Sequence, residues 1–454
     1  MKKLLLPVLA ALTLMHTALI AQDSVNQDTI KLSFDEAVKI GLKNNMLLNQ
    51  ARNTLISNQA TKLGVVGSFV PGVNVTGGWQ RQIGQQQNTT SGDLENLTTD
   101  YVSLQGNANW LLPGFGRLSS LKQTTRVVDA QIYGVKSASQ AVIFNVASQY
   151  LQVLLDQELL RIAQENYTTQ KVLLEKIQAS YDVGAKAITD VHVQDALAKA
   201  ADVAVIKARN TLQNDKSILA QTVQLNPSAN YKVVYPNLDQ DYSGYRTMPL
   251  DSLVAIGMAN RADLRQAELM VEANRFAVRV QSAKYLPSVS VYANYGSFYY
   301  NQINESFRNQ FRTLNPSTTI GANLTIPIFN QFVTRAQRYA AKITYENSRL
   351  TEKNMELTVK LDVQRAYNNY INAMEGYAAS LSQFQSGELA FQTQQESYLL
   401  GVSDQAALAQ ANQTYVNGAA SKVQAQVTLL FQKVLLEYAL GVIREDQYTS
   451  EASR

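Results

Sequence analysis

His192 is the one histidine beyond the first 21 residues, and the chain has no cysteine. A nucleophile–imidazole–acid triad or a transition-metal centre needs more of these side chains than that, so the usual hydrolytic and metal sites lack their parts. Carboxylates are the remaining reagents. Asp93, Glu95 and Asp100 share one polar stretch without a companion motif, and a solvated loop accounts for them better than a secreted hydrolase. More informative is the spacing of two glycines. Gly184 falls three after Tyr181 in SYDVGAKAITD, and Gly401 three after Tyr398 in SYLLGVSDQAA. Glycine there permits the left-handed backbone that folds one helix back on another. Asp190, at the start of the returning helix, suits the positive end of its dipole. No catalysis, cofactor or metal is expected.

The elements that carry these turns are written twice. LSFDEAVKIGLKNNMLL near the start answers to MPLDSLVAIGMANRADL, with Asp35, Ile40, Gly41 and Asn44 each 216 positions before Asp251, Ile256, Gly257 and Asn260. The offset holds through Pro71 and Pro287 and through Val75 and Val291. A repeat this long makes each copy a structural half-unit. Each copy reads as helix, strand, polar loop, strand, very long helix, turn and helix. The copies are placed at 22–225 and 249–441, with hairpins at 69–112 and 287–327 and long helices at 115–225 and 330–440. A connector, 226–248, lies between them and is expected around the waist of the helices. A polar, loosely ordered tail follows at 442–454.

The first residues read as an export signal, 1–21: Lys2 and Lys3, an apolar run to Ile20, then Ala21. Without Lys2 and Lys3 the formal charge falls from +4 to +2, too balanced for nucleic acid or anionic lipid as the main partner. No later apolar run reaches the ~18 residues of a membrane helix. An exported chain of this kind either stays in solution or crosses a bilayer as a β-barrel.

The strands favour the barrel. Asn74 and Thr76 alternate with Val73, Val75 and Trp79; Gln105, Asn107 and Asn109 alternate with Val102, Leu104 and Trp110. In the second copy Asn294 opposes Val291, and Asn323 opposes Ile320 and Leu324. Uncharged amides and hydroxyls on one face suit a hydrated lumen, and the other face suits lipid, with Trp79 and Trp110 toward the segment ends as a girdle. The stretches Gln82–Asp100 and Asn301–Ser317 are expected as long outer loops. From Ile132 a step of seven meets Ser139, Val146, Val153, Leu160, Tyr167, Leu174 and Tyr181; from Val363 it meets Tyr370, Tyr377, Phe384, Phe391 and Tyr398. That repeat predicts coiled-coil-like packing over very long helices. A periplasmic coiled-coil adaptor or scaffold explains the heptads equally well, but not the strands. Four strands cannot close a barrel, so copies must pool theirs, and three chains would leave an open lumen where two would fill it.

The duplicated head, the strand openings FVPGVNV and YLPSVSV, the junctions LLPGFG and IPIFN, and the two turns occur in the same order in each half. On these motifs, over nearly the whole length beyond the signal, the chain resembles the TolC-like outer-membrane efflux proteins. The resemblance implies an α+β membrane protein: a homotrimer whose 12-stranded outer-membrane barrel continues as a 12-helix periplasmic α-barrel. It also implies a passive exit duct that docks a periplasmic adaptor and an inner-membrane pump of RND or ABC type. Gly184, Ala185, Gly401 and Val402 match the tips where adaptors dock. Asp190 and Tyr398 match a pair that holds the entrance shut. Entrance aspartates of the family can fall where this chain has Ala407 and Gln410, and a basic residue where it has Ser403; Asp404 is the neighbouring acid.

Overall fold

The computed structural model describes residues 30–87, 92–226, 231–234 and 244–449. The signal at 1–21, the end of the tail and much of the connector lie outside the described residues. The first half runs β1 (Ile30–Leu32), α1 (Phe34–Asn44), α2 (Met46–Gly67), β2 (Gly72–Gln87), β3 (Leu94–Leu111), α3 (Phe115–Asp182) and α4 (Ile188–Thr222). β4 (Tyr231–Val233) follows in the connector. The second half runs α5 (Leu250–Asn260), α6 (Ala262–Ala283), β5 (Ser288–Tyr300), the single turn α7 (Phe307–Asn309) with a π-turn at Gln310–Leu314, β6 (Ser317–Thr325), α8 (Val333–Leu399) and α9 (Gln405–Ala439). A last turn, α10 (Asp446–Thr449), ends the description.

The helix opening each copy is broken once, where a single helix is expected. Asn45 ends α1 and caps α2, its Oδ1 accepting the Leu48 N–H at 3.1 Å. Arg261, 216 positions later, does the same between α5 and α6 without a side-chain cap. A capping box starts α1: Ser33 and Glu36 satisfy each other's backbone N–H groups. No proline marks either break, so periodicity alone does not reveal it.

α3 has 68 residues and α8 has 67, each about 100 Å long at the usual helical rise. On the sheet side α3 packs on α2 and α6, and α6 on α8; on the far side α3 packs on α4 and α9, and α9 on α8. The apolar seven-residue repeat supplies these seams. Val146, Val153, Val363, Tyr370, Phe391 and Tyr398 are buried, while Ile132 and Tyr181 at the ends of the first series stay exposed in the single chain. At the waist, Gly41 lies so close to α3 that a Cβ there would stand 2.9 Å from Val146 Cγ2; a Cβ at Gly257 would stand 2.8 Å from Val363 Cγ2. The repeated glycines and the repeated valines are therefore one contact made twice.

The described part of the connector also packs at the waist. β4 pairs in parallel with β1, Tyr231 and Val233 join the core around Leu32, Val146 and Tyr150, and the Tyr150 hydroxyl donates to the carbonyls of Leu32 and Val234. The tail is not loose as far as Thr449. Ile443 is buried, Tyr448 meets Phe34 edge-on at 6.0 Å, and Gln140 donates to the Gly441 and Ile443 carbonyls at 3.1 and 2.9 Å. Two apolar anchors in a polar sequence suffice to dock it.

One acid is buried where α3 meets α4. Asp156 is 3% exposed, and its Oδ2 has no hydrogen-bond donor. Burial first, and then the adjoining Asp215 carboxyl, push Asp156 up to about 7. A carboxyl raised in the folded state stabilises fully below its unfolded pKa, and that contribution is lost as pH rises through the folded value. Asp156→Asn keeps the hydrogen bonding without the charge. Thermal unfolding in detergent should show the variant more stable than wild type at pH 8, by about 1–2 kcal/mol, and the gap should narrow as pH falls and close only below about pH 4. A gap that does not change with pH would refute the raised Asp156 pKa.

Candidate functional site

Two surfaces position the residues singled out by sequence: the ends of the helical hairpins, and the sheet at the opposite end. At the first tip Gly184 has φ of +78° and Gly401 at the second has +76°. Each sits in a left-handed cap. Gly184 N–H donates to the Tyr181 carbonyl at 2.8 Å and Ala185 N–H to Ser180 at 2.8 Å; Gly401 and Val402 repeat this with Tyr398 and Ser397 at 3.1 and 2.9 Å. The turns thrust apolar side chains into solvent. Leu400 and Val402 are 80% and 81% exposed, Val183 is 80% exposed, and Ala185 is exposed beside it. Exposed apolar side chains grouped in this way are a common mark of interaction surfaces.

Just inside the tips lies a small core of Leu173, Ile177, Val191, Phe391, Tyr398 and Leu408. Tyr398 is 2% exposed, its hydroxyl has no hydrogen-bond partner, and the Lys186 ammonium stands 4.1 Å above its ring. Burial, and then the negative charge of Asp190, raise the Tyr398 pKa. Asp190 and Tyr398 are thus brought near each other without a hydrogen bond. Asp404 is engaged elsewhere in this conformation: its carboxylate caps α9, accepting the Ala407 N–H at 2.7 Å. Ser403 accepts from Gln394.

Sequence reasoning missed the link between the two hairpins. Gln405 of α9 donates to the Asp190 carbonyl at 3.0 Å and to Gln194 Oε1 at 3.4 Å. Gln194, fully buried, donates to both oxygens of Gln170 at 2.7 and 3.0 Å, and Asn412 reaches Asn166 at 3.0 Å. Buried amides satisfied this way hold α3, α4 and α9 in one register. The only signal was amide side chains on otherwise apolar helix faces, and the partners are as many as 246 positions apart.

At the other end β2, β3, β5 and β6 form one antiparallel sheet in that order. The register aligns Asn74 with Asn107, Asn107 with Asn294, and Asn294 with Thr319, one polar row across four strands. Thr76 faces Gln105, Asn109 faces Tyr292 and Asn323 faces Ser290 on the same side. The other side carries Val73, Leu104, Val102, Val291, Ile320 and Leu324. Ile320 is 74% exposed, and Trp79 is exposed with the Arg81 guanidinium 5.5 Å from its ring. Trp110 donates its indole N–H to the Phe69 carbonyl at 3.0 Å, at the base of the sheet.

The expected first loop, Gln82–Asp100, is mostly ladder: β2 continues to Gln87, β3 begins at Leu94, and Arg81 bonds Asp100 through Nε at 2.8 Å and Nη2 at 2.9 Å. Asn88 to Ser91 lie outside the described residues. The second loop is compact around Gln310, which is fully buried and donates to the carbonyls of Tyr300, Ile303 and Glu305.

Comparison with known proteins decides the family. The pattern of the outer membrane efflux protein family matches residues 41–223 and 256–442, each within one copy of the repeat. The chain belongs to the outer membrane efflux protein family. It is accordingly an outer-membrane exit duct and not an enzyme. Among relatives it is 24% identical to the outer membrane protein TolC of Vibrio cholerae over 309 residues, 68% of this chain and 67% of that protein. It is 23% identical to the pyoverdine export outer membrane protein OpmQ of Pseudomonas aeruginosa over 419 residues, 90% and 84% of the two chains. Among solved structures the Campylobacter jejuni CmeC outer membrane channel shares the fold, with TM-score 0.78 and 17% identity over 90% of this chain and 85% of that one.

Proposed function

We propose that three copies of this efflux-family chain form the duct, each giving four strands to a 12-stranded barrel and four helices at every level to a 12-helix tunnel. The observation that carries this reading is the bare sheet: β2 and β6 are unpaired edges, and both faces are uncovered in the single chain. A bilayer accepts such a sheet only when it closes. Eight strands would fill the interior with side chains, whereas the polar row through Asn74, Asn107 and Asn294 calls for water, which twelve strands admit. The helix neighbours support the same count, because α2, α3, α6 and α8 lie side by side at one level and α4, α3, α9 and α8 at the other.

The tips at Gly184, Ala185, Gly401 and Val402 dock a periplasmic adaptor, and through it an inner-membrane pump of RND or ABC type supplies the energy. Asp190, Tyr398 and Asp404 narrow the entrance, with Gln405 tying the hairpins together, and dilation separates the hairpins. One relative is named for pyoverdine export and another for a toluene efflux pump; the cargo of this chain is set by its pump. Space around Gly401 is open, so Gly401→Ala strains only the backbone, by about 1 kcal/mol, and keeps function. Gly401→Arg should abolish site-specific crosslinking to the adaptor and lower efflux at least ten-fold. Normal crosslinking and efflux in that variant would sink the docking assignment. Asp190→Ala with Tyr398→Phe should raise single-channel conductance in planar bilayers; an unchanged conductance would count against the gate.

A further inference from the structure

The near-balanced charge of the whole chain conceals a belt of one sign directly beneath the sheet. α8 opens with Arg335, Arg338 and Lys342, which share one face by their spacing of three and four. They line an open groove of about 650 Å³ with Phe332 and Tyr339. Lys284, at the end of α6, faces the same turns and donates to Gln337 at 2.8 Å, while Arg338 donates to Ser282 at 3.0 Å. None of these four cations has a carboxylate partner among the described residues. The sequence offers none nearby: no acid lies between Glu305 and Glu346, or between Glu272 and Glu305. In the first half Arg126 pairs with Glu272 at 2.8 Å and Asp129 at 3.2 Å, while Arg117 donates to the Ser68 and Leu111 carbonyls and Lys122 lies over the Phe276 ring.

Apolar side chains flank the groove on its membrane side. Phe329 and Phe332 stand edge to face at 5.4 Å, both exposed, and Ile328 is 88% exposed. Gln331 and Phe332 hold φ of +55° and +63°, a left-handed geometry unusual for such residues, which turns the chain from strand to helix there. An apolar rim above unpaired cations is the arrangement of a lipid headgroup site, with acyl chains on the aromatics and phosphate on the cations. Ring closure does not supply the missing charge. The open flank of α8 would meet α2 of the next copy, and α2 has no acidic residue in its 22 positions and adds Lys62.

We infer that the groove at the start of α8 binds an anionic phospholipid of the periplasmic leaflet, its phosphate held by Arg335, Arg338 and Lys342. The inference rests on the three-chain reading only for what covers the groove, and the test separates the two. Purified, delipidated full-length protein is titrated with phosphatidylglycerol or phosphatidylethanolamine and weighed intact by native mass spectrometry. Wild type should prefer phosphatidylglycerol by roughly a hundred-fold, at the usual contribution per cation near an anionic surface. The triple variant Arg335→Gln, Arg338→Gln, Lys342→Gln should keep its oligomeric mass and lose that preference. Should the triple variant not fold, Arg338→Gln alone should weaken the preference roughly five-fold. Equal binding of both lipids by wild type, or full preference in the variants, would overturn the site. Release of bound phosphatidylglycerol by millimolar inorganic phosphate would also overturn it, marking a free-phosphate site instead. A mass of one or two chains would refute the three-chain reading, while the lipid preference of that species still reports on the groove.

Discussion

Gly257→Val is expected to yield almost no folded protein. The added Cβ would stand 2.8 Å from Val363 Cγ2 and 3.4 Å from the Ala439 carbonyl, with Val359 at 3.6 Å on the third side. Val363 and Val359 are both fully buried, and a β-branched side chain in a helix has essentially one rotamer to offer. Neither neighbour can yield without moving α5 off α8, and overpacking of this kind costs about 1–3 kcal/mol, more when backbone blocks the retreat. Gly257→Ala should be milder, and Val363→Ala should restore much of its stability by opening the space. Gly41→Ala with Val146→Ala forms the same pair in the first half. The measurement is the thermal midpoint of purified protein and the yield of folded oligomer. Wild-type stability in Gly257→Val would mean that the close approach is not a packing constraint.

Asp263→Asn should cost about 3 kcal/mol, because it strands a buried cation. Arg261 is 9% exposed, and its guanidinium grips Asp263 with two hydrogen bonds of 2.9 and 2.7 Å. Its other acid, Asp362, is at 3.3 Å. Asp263 also accepts the Leu264 N–H at 2.9 Å, helping α6 to begin. Burial alone would raise the Asp263 pKa, but the Arg261 hydrogen bond and charge outweigh it and hold the carboxyl below its ordinary value. A carboxyl lowered by folding stabilises above its unfolded pKa, and the benefit disappears as pH falls through the folded value. Wild type should therefore lose this contribution only below about pH 4, where the variant should be flat. Equal stability of the two at pH 7 would show that Asp362 alone satisfies the guanidinium.

The parts of this fold that repeat were legible in the sequence. Gly184 and Gly401 end α3 and α8, Val146 and Val363 lie in the seams, and Asn74, Asn107 and Asn294 fall in one row, because turn, helix and strand periods each leave a local mark. Where the mark is absent the reading failed. Beyond Arg81 both faces of β2 are polar apart from Ile83, as at Gln82, Gln85 and Gln86, so no sustained alternation shows that the ladder continues. The break between α1 and α2 was hidden because each copy solves it differently, with an Asn45 cap in one and the Arg261–Asp263 pair in the other. The bonds through Gln170, Gln194 and Gln405 join hairpins from different halves, and no local period encodes a contact between distant segments. Residue roles at the tips came from resemblance; the structure supplies their geometry.

The unpaired edges of β2 and β6 also bear on heredity. If three chains drawn at random from one pool make each duct, a cell expressing equal amounts of intact and defective subunits would build only about one wholly intact duct in eight. A substitution that spares folding but spoils a tip or the entrance would then act in a dominant manner. One that prevents folding, such as Gly257→Val, would leave the intact subunits to assemble among themselves and would behave as recessive.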